Sequence, residues 1–157
     1  MMRKYILTTL IVLATILTAC SENDTSSART GDRFDETTSS NMEEVKELLV
    51  ENLHYASIED INGYLSTISQ DGYDSTKQAM TKFFEEYEVT HRLLEFEIVE
   101  DHSTEIVAKA KQKSEGFSEL KDIDYKNHIS EVLHVFTFEN NSWKISESSV
   151  TDIKFSD

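Results

Sequence analysis

The chain has 157 residues, and 30 Asp and Glu against 15 Lys and Arg give it a formal charge of −15. Such a balance repels phosphate backbones, so nucleic acid is excluded as a partner on electrostatic grounds, and so is a polybasic contact with anionic lipid. The length suits one domain behind a targeting segment, and with one cysteine and no proline the body must be held by packing, without an internal disulfide or stiffened loops.

Arg3 and Lys4 open the chain with positive charge, and residues 5–17 are uncharged and apolar apart from threonines. This is the layout of an export signal. As a helix, residues 5–19 would rise about 22 Å, short of a hydrocarbon core about 30 Å thick, so the segment is read as a signal rather than a membrane span. Leu17, Thr18, Ala19 and Cys20 resemble the lipobox of bacterial lipoprotein signal peptides, in which an aliphatic residue and two small residues precede a cysteine. The resemblance implies a diacylglyceryl thioether on Cys20 and removal of residues 1–19 as a signal peptide. A thiol suits the modification because its thiolate is a strong nucleophile near neutral pH. Two acyl chains hold a small domain durably on a bilayer, so the expected location is the outer face of the cell membrane, with the membrane as a partner through the lipid. Loss of Arg3 and Lys4 with the signal leaves the mature protein more acidic still, a charge that serves solubility.

Residues 20–41, which begin with the lipidated cysteine, are rich in Ser, Thr and acidic side chains, with Ala28 and Phe34 as the apolar interruptions after Cys20. No periodic face can be drawn on them, which predicts a disordered tether reaching on the order of 25 Å.

The body, residues 42–157, begins with helix signals. Ser40 and Asn41 read as N-caps with Glu43 and Glu44 as capping-box partners, and Val45, Leu48, Leu49 and Tyr55 share a helical face, which predicts a helix over residues 42–55. Ser57 and Asp60 repeat the start signal for a second helix carrying Ile58, Ile61, Tyr64, Leu65 and Ile68, stopped near Gly72 in a left-handed cap. A third starts at Asp74 or Ser75 with Met80, Phe83, Phe84 and Tyr87 as an apolar stripe, read as core.

After Tyr87 the period becomes two. Leu94, Phe96 and Ile98 alternate with Glu95 and Glu97; Ile106, Ala108 and Ala110 form the next inward set; Val132, His134, Phe136 and Phe138 form the third. Trp143 and Ile145 begin a fourth strand that passes a bulge near Ser148 and continues through Val150, Ile153 and Phe155. The short links around residues 101–103 and 140–141 predict an antiparallel meander, and residues 114–127 a longer connection or a hairpin extension.

The fold class is therefore α+β, three N-terminal helices packed on a curved antiparallel four-stranded sheet. In element order, in the hairpin FTFENNSWKI of residues 136–145 and in the long last strand, residues 42–155 resemble the nuclear transport factor 2-like superfamily, with a cystatin-like arrangement as rival. The turn lacks the glycine that family often has there. The resemblance implies a ligand space between the concave sheet and the helices. His134, Phe136, Ala108 and Ala110 point there by strand parity, and Tyr64 and Tyr73 can reach it, which makes a small apolar pocket with polar tips. The bland reading of the same residues is a satisfied core histidine beside alanines that accommodate packed aromatics.

Catalysis lacks a motif. His91, His128 and His134 are not paired with any carboxylate at a spacing that forces contact, and His128 and His134 lie about 20 Å apart along a strand, too far to share a metal. The pair Asp122 and Asp124 lacks the glycine and terminal glutamate of a calcium loop. No metal or cofactor is expected. The sequence supports a lipid-anchored extracytoplasmic binding or interaction module, without catalysis, that takes a small apolar ligand or an envelope protein. Leu133 and Val135 on the outward parity point to a covered face and a homodimer through the sheet. The alternative is a small acid/base enzyme of the isomerase, dehydratase or cyclase kind, with His134 as base.

Overall fold

The computed structural model describes residues 34–117 and 125–156. Leu17, Thr18, Ala19 and Cys20, the tether as far as residue 33, and Asp122 and Asp124 lie outside the described residues.

Helix α1 runs Phe34–Ser57. It begins well before the Ser40–Asn41 pair read as its cap, so the last part of the expected tether is helical. Neither Gly nor Pro interrupts this stretch, and Ser40 lies within the helix, its Oγ 3.4 Å from Glu44 Oε1 as a surface pair one turn apart. Val45, Leu49, Asn52, Leu53 and Ala56 form its buried stripe at helical spacing. The helix ends where Glu59 takes a left-handed conformation with φ 56°. Ser57 does not cap the next helix; its Oγ donates to Leu53 O at 2.7 Å and accepts the His91 amide at 2.8 Å, tying the end of α1 to the sheet.

The second start signal is Asp60 alone. Its carboxylate accepts the amides of Asn62 and Gly63 at 3.1 and 3.0 Å and opens α2, Ile61–Ser66. This helix is shorter than the periodicity suggested, because Thr67–Ser69 leaves it to pair with the sheet: Ile145 N donates to Thr67 O and Ser69 N to Ile145 O, each at 2.9 Å. A tight turn at Gln70–Gly72 follows, then α3, Tyr73–Glu86. Gly72 has φ −90°, so it is no left-handed cap; it precedes α3, which starts at Tyr73 rather than at Asp74 or Ser75.

Four strands, β1 Val89–His102, β2 Glu105–Gly116, β3 His128–Glu139 and β4 Ser142–Phe155, form one antiparallel sheet in sequential order. The expected meander is present, and the class is α+β. Asn140 and Asn141 make the β3–β4 turn at φ 50° and 65°, so asparagine supplies the left-handed pair for which glycine is the usual residue.

Bulges decide the side chains that parity misplaced. The register slips between Leu93 and Glu95, so Leu94, expected inward, is 40% exposed while Leu93 packs against the core. In β4 the slips flank Ser146 and Thr151 instead of falling at Ser148. Phe138, expected in the core with Phe136, is 41% exposed and stacks edge-on to Trp143 with centroids 5.3 Å apart.

The core joins Val45, Leu49 and Leu53 of α1 to Ile106, Ala108, Ala110, Phe136, Trp143 and Ile145 of the sheet. Leu49 is fully buried there, so Leu49→Ala should cost about 2–5 kcal/mol in a chemical denaturation curve. Val50→Ala, on the exposed side of the same helix, should change stability by less than about 0.5 kcal/mol.

Candidate functional site

Antiparallel register brings the inward residues of β2, β3 and β4 into rows. Ala108 faces His134, which faces Ser148; Gln112 faces Ser130; Ser114 faces His91 on one side and His128 on the other. A polar strip therefore runs through the inner face, and its members Gln112, Ser114, Ser130 and His134 are all buried.

His134 is satisfied on both ring nitrogens. Gln112 Nε2 lies 2.7 Å from its Nε2 and Ser148 Oγ lies 2.8 Å from its Nδ1. An amide nitrogen can only donate, so the imidazole accepts at Nε2 and carries its proton on Nδ1, directed at Ser148. Burial pulls its pKa down to about 4, in keeping with a neutral ring. The lone pair that a general base would use is already occupied.

The residues named with it are only partly brought together. Ala108 and Phe136 flank His134, with the Phe136 ring centroid 6.0 Å away, and Ala110 lies one row further along β2. Both alanines are fully buried, in the same apolar cluster as Val45 and Leu49 of α1. Tyr64 belongs to α2; its hydroxyl hydrogen-bonds to Asn52, its ring stands edge-on to Phe84 at 6.2 Å, and burial raises its pKa. Tyr73 is the first residue of α3. Neither tyrosine shares a hydrogen bond with His134 among the described residues.

Sequence reasoning passed over Gln112, Ser148 and His91 as members of the strip. Gln112 was findable, since it continues the parity of Ala108 and Ala110. Ser148 was not, because the slip at Ser146 sets its facing. His91 sits at the other end of the sheet, its Nδ1 3.0 Å from Ser114 Oγ and its buried Nε2 without a hydrogen-bond partner among the described residues. Burial, assisted by nearby His128, lowers its pKa to about 4. Around it Phe83, Tyr87, Tyr125 and His128 form a chain of ring contacts with centroid separations from 5.2 to 6.5 Å.

The outer face of the sheet is charged. Lys109 meets Glu131 at 2.7 Å and Lys111 meets Glu95 at 3.0 Å, around a shallow recess that Phe96 and Glu97 also line. Glu131 holds Lys109 above its ordinary pKa, and Lys109 holds Glu131 below its own. Among the described residues no three metal-ligating side chains cluster, and no helix is long and apolar enough to cross a membrane.

This architecture defines the class: the fold is that of nuclear transport factor 2-like proteins. An NTF2-like protein from Pseudomonas putida superimposes with a TM-score of 0.60 at 9% identity, covering 71% of this chain and 86% of its own. A hexachlorocyclohexane dehydrochlorinase from Novosphingobium barchaimii gives 0.62 at 7% identity, covering 78% and 94%. A Nostoc punctiforme protein with a cystatin-like fold gives 0.57 at 14% identity, covering 71% and 89%, so the rival arrangement is a near neighbour rather than a different architecture. Among curated proteins none matches the chain. Residues 47–156 match the family described as anti-sigma-I factor RsgI9, C-terminal domain, and the chain belongs to that family.

His91 and His134 both sit near pH 4 when folded, against 6.5 for an ordinary imidazole, so the unfolded chain binds more protons between these values. Their contribution to stability is therefore whole above about pH 6.5 and is lost as pH falls toward 4, by up to about 3 kcal/mol for each ring. Denaturation midpoints taken from pH 7.5 to 4.5 should fall accordingly, and His134→Gln should remove roughly half of the part due to these two rings.

Proposed function

We propose that the chain is a lipid-anchored, extracytoplasmic binding module that works without catalysis. The observation carrying this reading is the state of His134: buried, neutral and hydrogen-bonded at both nitrogens, in a sheet whose alanines are buried in the core. General acid–base work needs a group with an open lone pair or proton within reach of substrate, and this ring offers neither. Membership in an anti-sigma-I factor domain family supports a binding role. The lipobox at Leu17, Thr18, Ala19 and Cys20 supplies the address at the outer face of the cell membrane, and the acidic surface keeps the domain soluble there. Its ligand is a small apolar molecule or an envelope protein.

A second reading, a small enzyme of the isomerase, dehydratase or cyclase kind, draws on the dehydrochlorinase among the fold neighbours and on the unpartnered Nε2 of His91 rather than on His134.

Cys20→Ala should leave the protein unprocessed or move it out of the membrane fraction; unchanged partition and an unlipidated amino terminus in the wild type by mass spectrometry would overturn the anchor. His134→Phe should keep the fold and the retention of any ligand seen by native mass spectrometry. Loss of a measurable turnover on His91→Gln or on His134→Phe, with the circular dichroism spectrum intact, would replace the binding module with the enzyme.

A further inference from the structure

β4 lies at the end of the sheet, and only its first part is covered. Thr67–Ser69 pairs with Ile145, but from Glu147 to Phe155 every residue is exposed. Three of these are apolar: Val150 at 63%, Ile153 at 42% and Phe155 at 59% exposure. They stand on the inner face, since their β3 partners Val132, Ser130 and His128 continue the inward set. A long bare edge with an apolar face is a surface on which another strand adds.

The occupant is set by the arrangement of charge and by the bulge. Glu147 and Lys154 both point to the outer face, opposite Val135 and Ile129, although seven positions separate them; an uninterrupted strand would put them on opposite faces. The extra residue Thr151 is what brings them to one side. Consequently, when this strand is laid antiparallel against its own copy about a two-fold axis between Val150 and Thr151, face matches face. Glu147 falls opposite Lys154 of the copy, Ser148 opposite Ile153, and Ser149 opposite Asp152, each pair on one face. The two bulges meet at the axis, so they introduce no slip between the copies. A shift by two positions in one sense puts Glu147 against Asp152, and in the other leaves Lys154 against Ser149.

We propose that the free edge of β4 pairs with β4 of a second copy of this chain in this register, joining two four-stranded sheets into one. Two Glu147–Lys154 pairs fix the register and the apolar trio of each copy closes the inner side. The interface is isologous, as a two-fold requires. Lys154 is well placed for it: its side chain is 77% exposed and lies 3.5 Å from Asp152 of its own strand, next to the partner position.

The full-length chain in detergent micelles, studied by sedimentation equilibrium, should be dimeric. Glu147→Lys and Lys154→Glu should each weaken the dimer by about tenfold or more, because both pairs across the axis become like-charged. An equimolar mixture of the two variants should recover wild-type affinity as a heterodimer, since each copy then carries the complement of the other. That recovery also shows that both variants are folded. A chain that stays monomeric at every concentration would overturn the proposal. So would a dimer indifferent to both charge reversals, which would place the contact on the outer face around Leu133 and Val135 instead.

Discussion

The packing of α1 on the sheet, closest along β1 with a further approach to β4, sets the rest of the molecule. Val45 and Leu49 of the helix have zero exposure in one buried cluster with Ala108, Ala110 and Phe136 of the sheet. Close packing of this kind is worth several kcal/mol per side chain and fixes the height of the helix above the strands. Three further attachments hold the helical layer in place: Asn52 to Thr67 at 2.7 Å, Thr67–Ser69 on β4, and Ser57 with the His91 amide. Larger residues at the two fully buried alanines would overpack this cluster.

The same contact divides the inner face into regions with different chemistry. Beneath α1 the sheet is dry and apolar. Beside it Gln112 and His134 are buried but satisfy each other, with Ser148 on the second ring nitrogen, so polar groups are kept inside at little cost. Further out the aromatic rings of Phe83, Tyr87 and Tyr125 gather over His91, and beyond them the end of β4 stands bare. A domain built this way offers surfaces for association and has its most obvious titratable side chain locked into the architecture.

Most of the fold was readable from period and punctuation. The change from a helical to a two-residue period after Tyr87 marks the boundary between helices and sheet, and the short links dictate a meander, because both signals are local. Most of the departures share one cause. Leu94 and the bulges at Ser146 and Thr151 depend on register between strands, which no single stretch of sequence encodes, and Phe138 is exposed because β3 ends one residue later. Likewise α2 stops at Ser66 although Ile68 keeps its spacing, because pairing with Ile145, distant in sequence, outcompetes one more helical turn. The histidine at the centre of the sheet was legible as a position; its engagement by Gln112 and Ser148 was not, since Ser148 reaches it only through a slip in the strand.

The sequential order of the strands bears on how the chain acquires its shape. Each strand pairs with its neighbour in sequence, and the β3–β4 turn is made by Asn140 and Asn141, whose left-handed conformation is set within two residues. Loop closure for such hairpins is short, so the sheet assembles from nearby parts, whereas α1 reaches β4 only across most of the domain. The contact of longest range is thus the docking of the helix against β4. Until it happens, the apolar side chains that Leu49 later packs among stay open to other chains.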